Sequence, residues 1–250
     1  MKMRLRTVAL ILVLLACAVP VRAQEAGSPA VASAQASATR LKIQMSQGLK
    51  VEWRAASSVA GDMISARITN SGSQAAEVSI GTGMVLEPLA AGQQRVILEG
   101  GARIKVPPGA TVTRQLRGYC LDQGLATPTP GQGSAYSLAT DATQYAAEIQ
   151  IVATGLRLAN EKRLNLPLPP LQRRTVDLQR ALWARPGGGN PATRESIERD
   201  LKEEVAQEAV VAGSPSRSVT VRPPNTAEMQ KMSDRLYGDI ELILREALKP

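Results

Sequence analysis

The chain has 250 residues, 44% of them hydrophobic and 21% charged, the proportions of a globular protein with one or two real cores. It contains no histidine, no phenylalanine and only two cysteines, which excludes Ser-His-Asp and Cys-His catalysis, histidine-containing zinc sites, four-cysteine sites and a disulfide framework. The formal net charge of +8 is spread along the chain rather than gathered with aromatics, which argues against nucleic-acid binding.

Residues 1–23 have the layout of a bacterial export signal. Lys2, Arg4 and Arg6 form a positive start, and Val8 to Val19 is an apolar run too short to span a bilayer. Two processing readings stay open. Val21-Arg22-Ala23 suits cleavage before Gln24, whereas Leu14-Leu15-Ala16-Cys17 resembles a lipobox that would leave Cys17 as a lipidated first residue. Both place the mature chain outside the cytoplasm, and the membrane is a partner only through lipid on Cys17. Cleavage before Gln24 removes Lys2, Arg4, Arg6 and Arg22, leaving 26 basic against 22 acidic residues, a net of +4.

Residues 24–39 are small, polar and of low complexity, and predict a disordered tether. Residues 40–131 then alternate with period two. Leu41, Ile43 and Met45 open the pattern; Val51 and Trp53, and Ile64, Ala66 and Ile68, continue it up to a turn at Asn70-Ser71-Gly72. Short apolar segments follow at Val78 to Ile80, Met84 to Leu86, Val96 to Leu98, Ile104 to Val106 and Val112 to Leu121, punctuated by Gly100-Gly101 and Pro107-Pro108-Gly109. Seven or eight such strands predict an antiparallel, immunoglobulin-like β-sandwich.

Residues 132–250 are expected to form a helical part packed on that sandwich, an α+β fold overall. From Asp141 the period becomes 3.6: Ala142, Tyr145, Ala146, Ile149, Val152 and Leu156 share a face. A Pro-rich elbow at 166–170 precedes a second helix with Val176, Leu178, Ala181, Leu182 and Trp183. Gly187 to Gly189 end it, and Thr193 starts a third helix with Ile197, Leu201 and Val205. Ser218 to Val221 reads as a short strand or a loop. Asn225 and Glu228 form a capping-box start to a last helix, whose inner face is Met229, Met232, Leu236, Ile240, Ile243 and Ala247. The methionines read as core, Arg173 and Arg174 as a solvated face, and Asp177 and Glu148 as equally unremarkable. No glycine group carries the Lys-Ser/Thr of a phosphate loop and no carboxylate pair has a fixed separation, so no cofactor or metal is expected.

One constellation stands apart. Gly118-Tyr119-Cys120-Leu121-Asp122 closes the last strand, and Leu178-Gln179-Arg180-Ala181-Leu182-Trp183 lies in the second helix. The first resembles the aromatic-Cys-apolar motif of the thioester domains of Gram-positive surface adhesins. The second resembles their Thr-Gln-x-Ala-apolar-Trp motif, with Leu178 where the family has threonine. The resemblance covers 118–183 and implies a bond between the Cys120 thiol and the Gln179 carboxamide, formed with loss of ammonia and open to a surface nucleophile. From the residues alone, Cys120 is a small hydrophobe on the face of Val112 and Leu116, and Trp183 anchors a helix. The reading taken forward is an exported, non-enzymatic binding or structural module of the cell envelope, whose partner is an envelope or surface protein or polymer; covalent surface attachment through Cys120 and Gln179 is the alternative.

Overall fold

The computed structural model describes residues 48–56, 60–128, 130–131, 134–186, 193–201 and 225–249. The export signal with Cys17, the tether, the Leu41 to Met45 segment, Gly187 to Gly189, Val205 and Ser218 to Val221 lie outside the described residues. None of the described helices is long and apolar enough to cross a membrane.

Among the described residues eight strands form: β1 Leu49–Ala55, β2 Gly61–Asn70, β3 Ala76–Ile80, β4 Val85–Pro88, β5 Val96–Leu98, β6 Ala102–Val106, β7 Thr111–Cys120 and β8 Ala135–Leu138. They do not make a sandwich. Six close into an antiparallel barrel in the order β1-β2-β7-β5-β4-β8, and β3 and β6 pair apart as a two-stranded ribbon. The expected immunoglobulin-like sandwich is therefore corrected to a barrel. The residues that overturn it are Ala135 to Leu138, in the stretch read as the start of the helical part. That strand pairs on one edge with β1, Trp53 opposite Tyr136, and on the other with β4, Leu86 opposite Leu138. Four residues between a Pro-Gly turn and a helix start carry too little periodicity to announce a strand, yet they remove both open edges.

The barrel wall separates two cores. Met63, Ile64, Ile68, Leu86, Val96, Leu98 and Cys120 pack inside, and the apolar face of the ribbon (Val78, Ile80, Ile104 and Val106) joins them. Val85, Ile97, Tyr119 and Leu121 point outward and pack instead into the helical core. A wall buried on both faces needs apolar residues at consecutive positions, and the unbroken runs Met84-Val85-Leu86, Val96-Ile97-Leu98 and Tyr119-Cys120-Leu121 supply them.

The helical layer consists of α1 Ala146–Asn160, α2 Pro170–Ala184, α3 over 194–201 and α4 Thr226–Ala247. α1, α2 and α4 pack on one another, and α2 also lies on β7. The inner face of α1 is rotated from the expected one: Ile151, Val152, Gly155 and Leu158 are buried, whereas Ile149 and Leu156 flank the core and Ala146 is exposed. The cause is Gly155, where a Cβ would overlap Leu178 Cδ2 and lie 2.8 Å from its Cγ. The bare glycine is a notch that seats Leu178 and sets the α1–α2 approach. α4 begins with the expected capping box: Asn225 Oδ1 accepts from the Glu228 N–H at 2.9 Å, and Glu228 Oε2 accepts from the Asn225 N–H at 2.8 Å. Thr193 starts α3 in a similar reciprocal way with Ser196.

Candidate functional site

Strand β7 bonds alternately to its two neighbours. Tyr119 faces β5 opposite Ile97, and Gly118 is paired with Gly61 at the first residue of β2. Cys120 lies two residues past that pair, beyond the first residue of β2, and its N–H and C=O have no partner on β2. A buried, unpaired peptide pair of this kind is costly. Gln179, on the third turn of α2, fills the gap. Its Oε1 accepts from the Cys120 N–H at 2.9 Å and its Nε2 donates to the Cys120 carbonyl at 2.8 Å. The side-chain amide takes the place of one residue of β2.

The structure thus brings Cys120 and Gln179 together, and the contact it forms runs through the cysteine main chain. The thiol itself belongs to the barrel interior with Val96, Leu98 and Tyr136. Burial, helped by the Asp122 charge, pushes it up to about 12, so thiolate is scarce near neutral pH. Tyr136, whose hydroxyl donates to the Gln94 carbonyl at 3.1 Å, is also raised, first by burial and then by Cys120. Trp183 packs against the barrel core as an anchor, with the Arg180 guanidinium 5.8 Å from its ring centre.

Around this contact, polar side chains bind the helices to the wall. Glu99, after β5, accepts from the Tyr119 hydroxyl at 2.9 Å and pairs with Arg117 at 3.2 Å and with Arg174 of α2 at 2.6 Å; Arg117 also donates to Thr175 at 2.6 Å. Arg95 is paired with Asp122 and donates to the Tyr145 hydroxyl, which in turn donates to Glu87 at 2.8 Å. The Arg95 charge is held on by Asp122, whose own carboxyl is kept below the usual range despite its burial. Arg185 meets the buried Glu148 at 2.8 Å.

Several residues that looked ordinary in sequence are part of this framework. Arg174 pairs with Glu99, and Arg173 folds back to donate to the carbonyls of Leu164, Leu166 and Leu168, so neither lies on a solvated face. Glu148 is a buried ion-pair partner. Asp177 is fully buried, and Asp239 of α4 holds the elbow by accepting from the N–H groups of Asn165 and Leu166. Charge alone cannot reveal such positions. The helical registers could have shown Asp177 and Asp239 in mid-core, each beside an apolar neighbour of the inner face.

Comparison with known proteins finds no matching family model, no matching curated protein and no matching solved structure.

Proposed function

We propose that the chain is an exported, non-enzymatic binding or structural module of the bacterial cell envelope, a helix-covered barrel carried on the segment that follows its export signal. The observation that carries this reading is the Cys120–Gln179 contact. Both polar atoms of the carboxamide are engaged by the Cys120 main chain, and the thiol is held protonated in the barrel core. The pair the sequence offers for covalent chemistry therefore does the work of a missing strand residue. The charge left after signal removal suits a soluble envelope protein with a protein or polymer partner.

The second reading, covalent attachment through a Cys120–Gln179 thioester, draws on the same closeness: no other glutamine among the described residues bonds to the cysteine. One measurement separates them. The intact mass of the mature protein, purified without reductant, is expected to equal the full sequence from Gln24, or from an acylated Cys17, with methylamine adding nothing. A mass about 17 Da low, the ammonia lost on condensation, raised by about 31 Da when methylamine adds to the Gln179 carbonyl and frees the thiol, and absent from Cys120→Ala, would establish the attachment reading instead. An N-terminus at Met1 in a cytoplasmic fraction would refute export.

A further inference from the structure

The seam between α2 and α4 contains a buried carboxyl group with no hydrogen-bond donor. Asp177 is 0% exposed, and neither carboxylate oxygen has a hydrogen-bond partner. Leu178, Ala181 and Leu182 of its own helix, and Leu236, Ile240 and Ile243 of α4, form the apolar core around that seam. Asp239, the other carboxyl of the seam, is treated differently. It accepts from the Asn165 N–H at 2.7 Å, the Asn165 amide at 3.3 Å and the Leu166 N–H at 2.8 Å.

Among the described residues two charges act on Asp177: Asp239 from α4 and Arg173 one turn earlier on α2; none from α1 or β7, which also pack on α2, adds to them. Arg173 is only a weak counter-ion, because its guanidinium is committed to the carbonyls of Leu164, Leu166 and Leu168. Burial raises Asp239 too, but the Asn165 and Leu166 donors offset part of that, whereas Asp177 has no donor. Two ionised carboxylates in one apolar seam repel at low dielectric, so a single proton has to reside there, and donors assign it to Asp177.

We propose that Asp177 and Asp239 form a one-proton latch on the C-terminal helix: while Asp177 keeps its proton α4 stays docked on α2, and loss of that proton to solvent unseats it. The direction follows from linkage. Burial first, and Asp239 second, raise the docked Asp177 to about 8, whereas in an opened seam it returns to the ordinary aspartate value near 4. A group raised in the closed state favours closure most below the open-state value, and that advantage is gone above the closed-state value. The closed-to-open ratio therefore falls about tenfold per pH unit between roughly pH 4 and 8 and levels off beyond.

Amide hydrogen exchange of the whole mature chain from pH 5 to 9 tests this, with the intrinsic exchange rate divided out. Peptides of α4 are expected to lose protection about tenfold per unit up to pH 8, while those of β2 hold theirs, and Asp177→Asn should abolish the slope. Carboxyl carbon NMR of the unsubstituted protein gives a second readout that does not depend on the variant folding. One aspartate should still be protonated at pH 6 and titrate near 8. Constant protection of α4 across the range, a slope unchanged in Asp177→Asn, or aspartates that are all ionised at pH 6 would each overturn the latch.

Discussion

Gln179 shows how one side chain substitutes for backbone. Removing its amide in Gln179→Ala leaves the Cys120 N–H and C=O both buried and unpaired, each at about 1–3 kcal/mol. The expected loss is therefore about 2–6 kcal/mol in chemical denaturation, larger than the mean for a point substitution. Labelling of Cys120 by a disulfide reagent should be slow in the native protein, whose thiol is buried and raised to about 12. The same variant should speed it, because the edge is then held by α2 packing alone. Unchanged stability in Gln179→Ala would mean the main-chain contact is dispensable. The meeting of Cys120 and Gln179 was legible from two short motifs. Its form was not, because nothing in the sequence says that β2 begins opposite Gly118, two residues short of Cys120.

Among the elements, the α1–α2 crossing depends on a single absent methyl group. Gly155→Ala would place its Cβ against the fully buried Leu178 side chain, which would have to shift within the core. A loss of about 1–3 kcal/mol is expected despite the better helix propensity of alanine. Leu178→Ala, itself a cavity-forming change of about 2–5 kcal/mol, should relieve the clash. The double variant should then be clearly more stable than the sum of the two losses, and additive losses by thermal or chemical melting would place the crossing elsewhere. Periodicity located the helices well, and the Asn225–Glu228 cap was legible because its spacing is local. The face of α1 was misjudged because a hydrophobicity pattern gives no weight to Gly155, while packing gives it the most. Strand β8 escaped for a related reason: Tyr136 and Leu138 are too few to set a period, and only their partners on β1 and β4 give them meaning.

At the scale of the molecule, barrel and helices share a core. Val85, Ile97, Tyr119 and Leu121 belong to the wall by backbone and to the helical layer by side chain. A fragment ending after β8 would expose all four, with Glu99 deprived of Arg174. Residues 48–140 expressed alone are therefore expected to aggregate or melt without cooperativity, and the whole mature chain to unfold in a single transition. Two separated transitions, or a soluble and cooperative fragment, would show that the layers stand independently. The mixed α+β class and the strand-to-helix order were readable from the change of period near residue 140. The closed barrel was not, since closure is a property of pairings between distant strands. The runs of consecutive apolar residues at 84–86, 96–98 and 119–121 were the available clue that the wall has no wet side.

Closure by β8 also imposes an order in time. Trp53 meets Tyr136 across the last seam of the barrel, so a chain delivered from its N-terminus presents β1 some eighty residues before the strand that pairs with its second edge. Until then the β1 edge and the apolar interior stand open, and the described helices, which all follow β8 in the chain, are not yet there to cover the wall. Contacts so far apart in sequence form slowly and leave edges exposed to other chains. The hazard is greatest just before the final four-residue strand arrives, and α1, starting eight residues after it, can cover the wall almost as soon as the ring shuts.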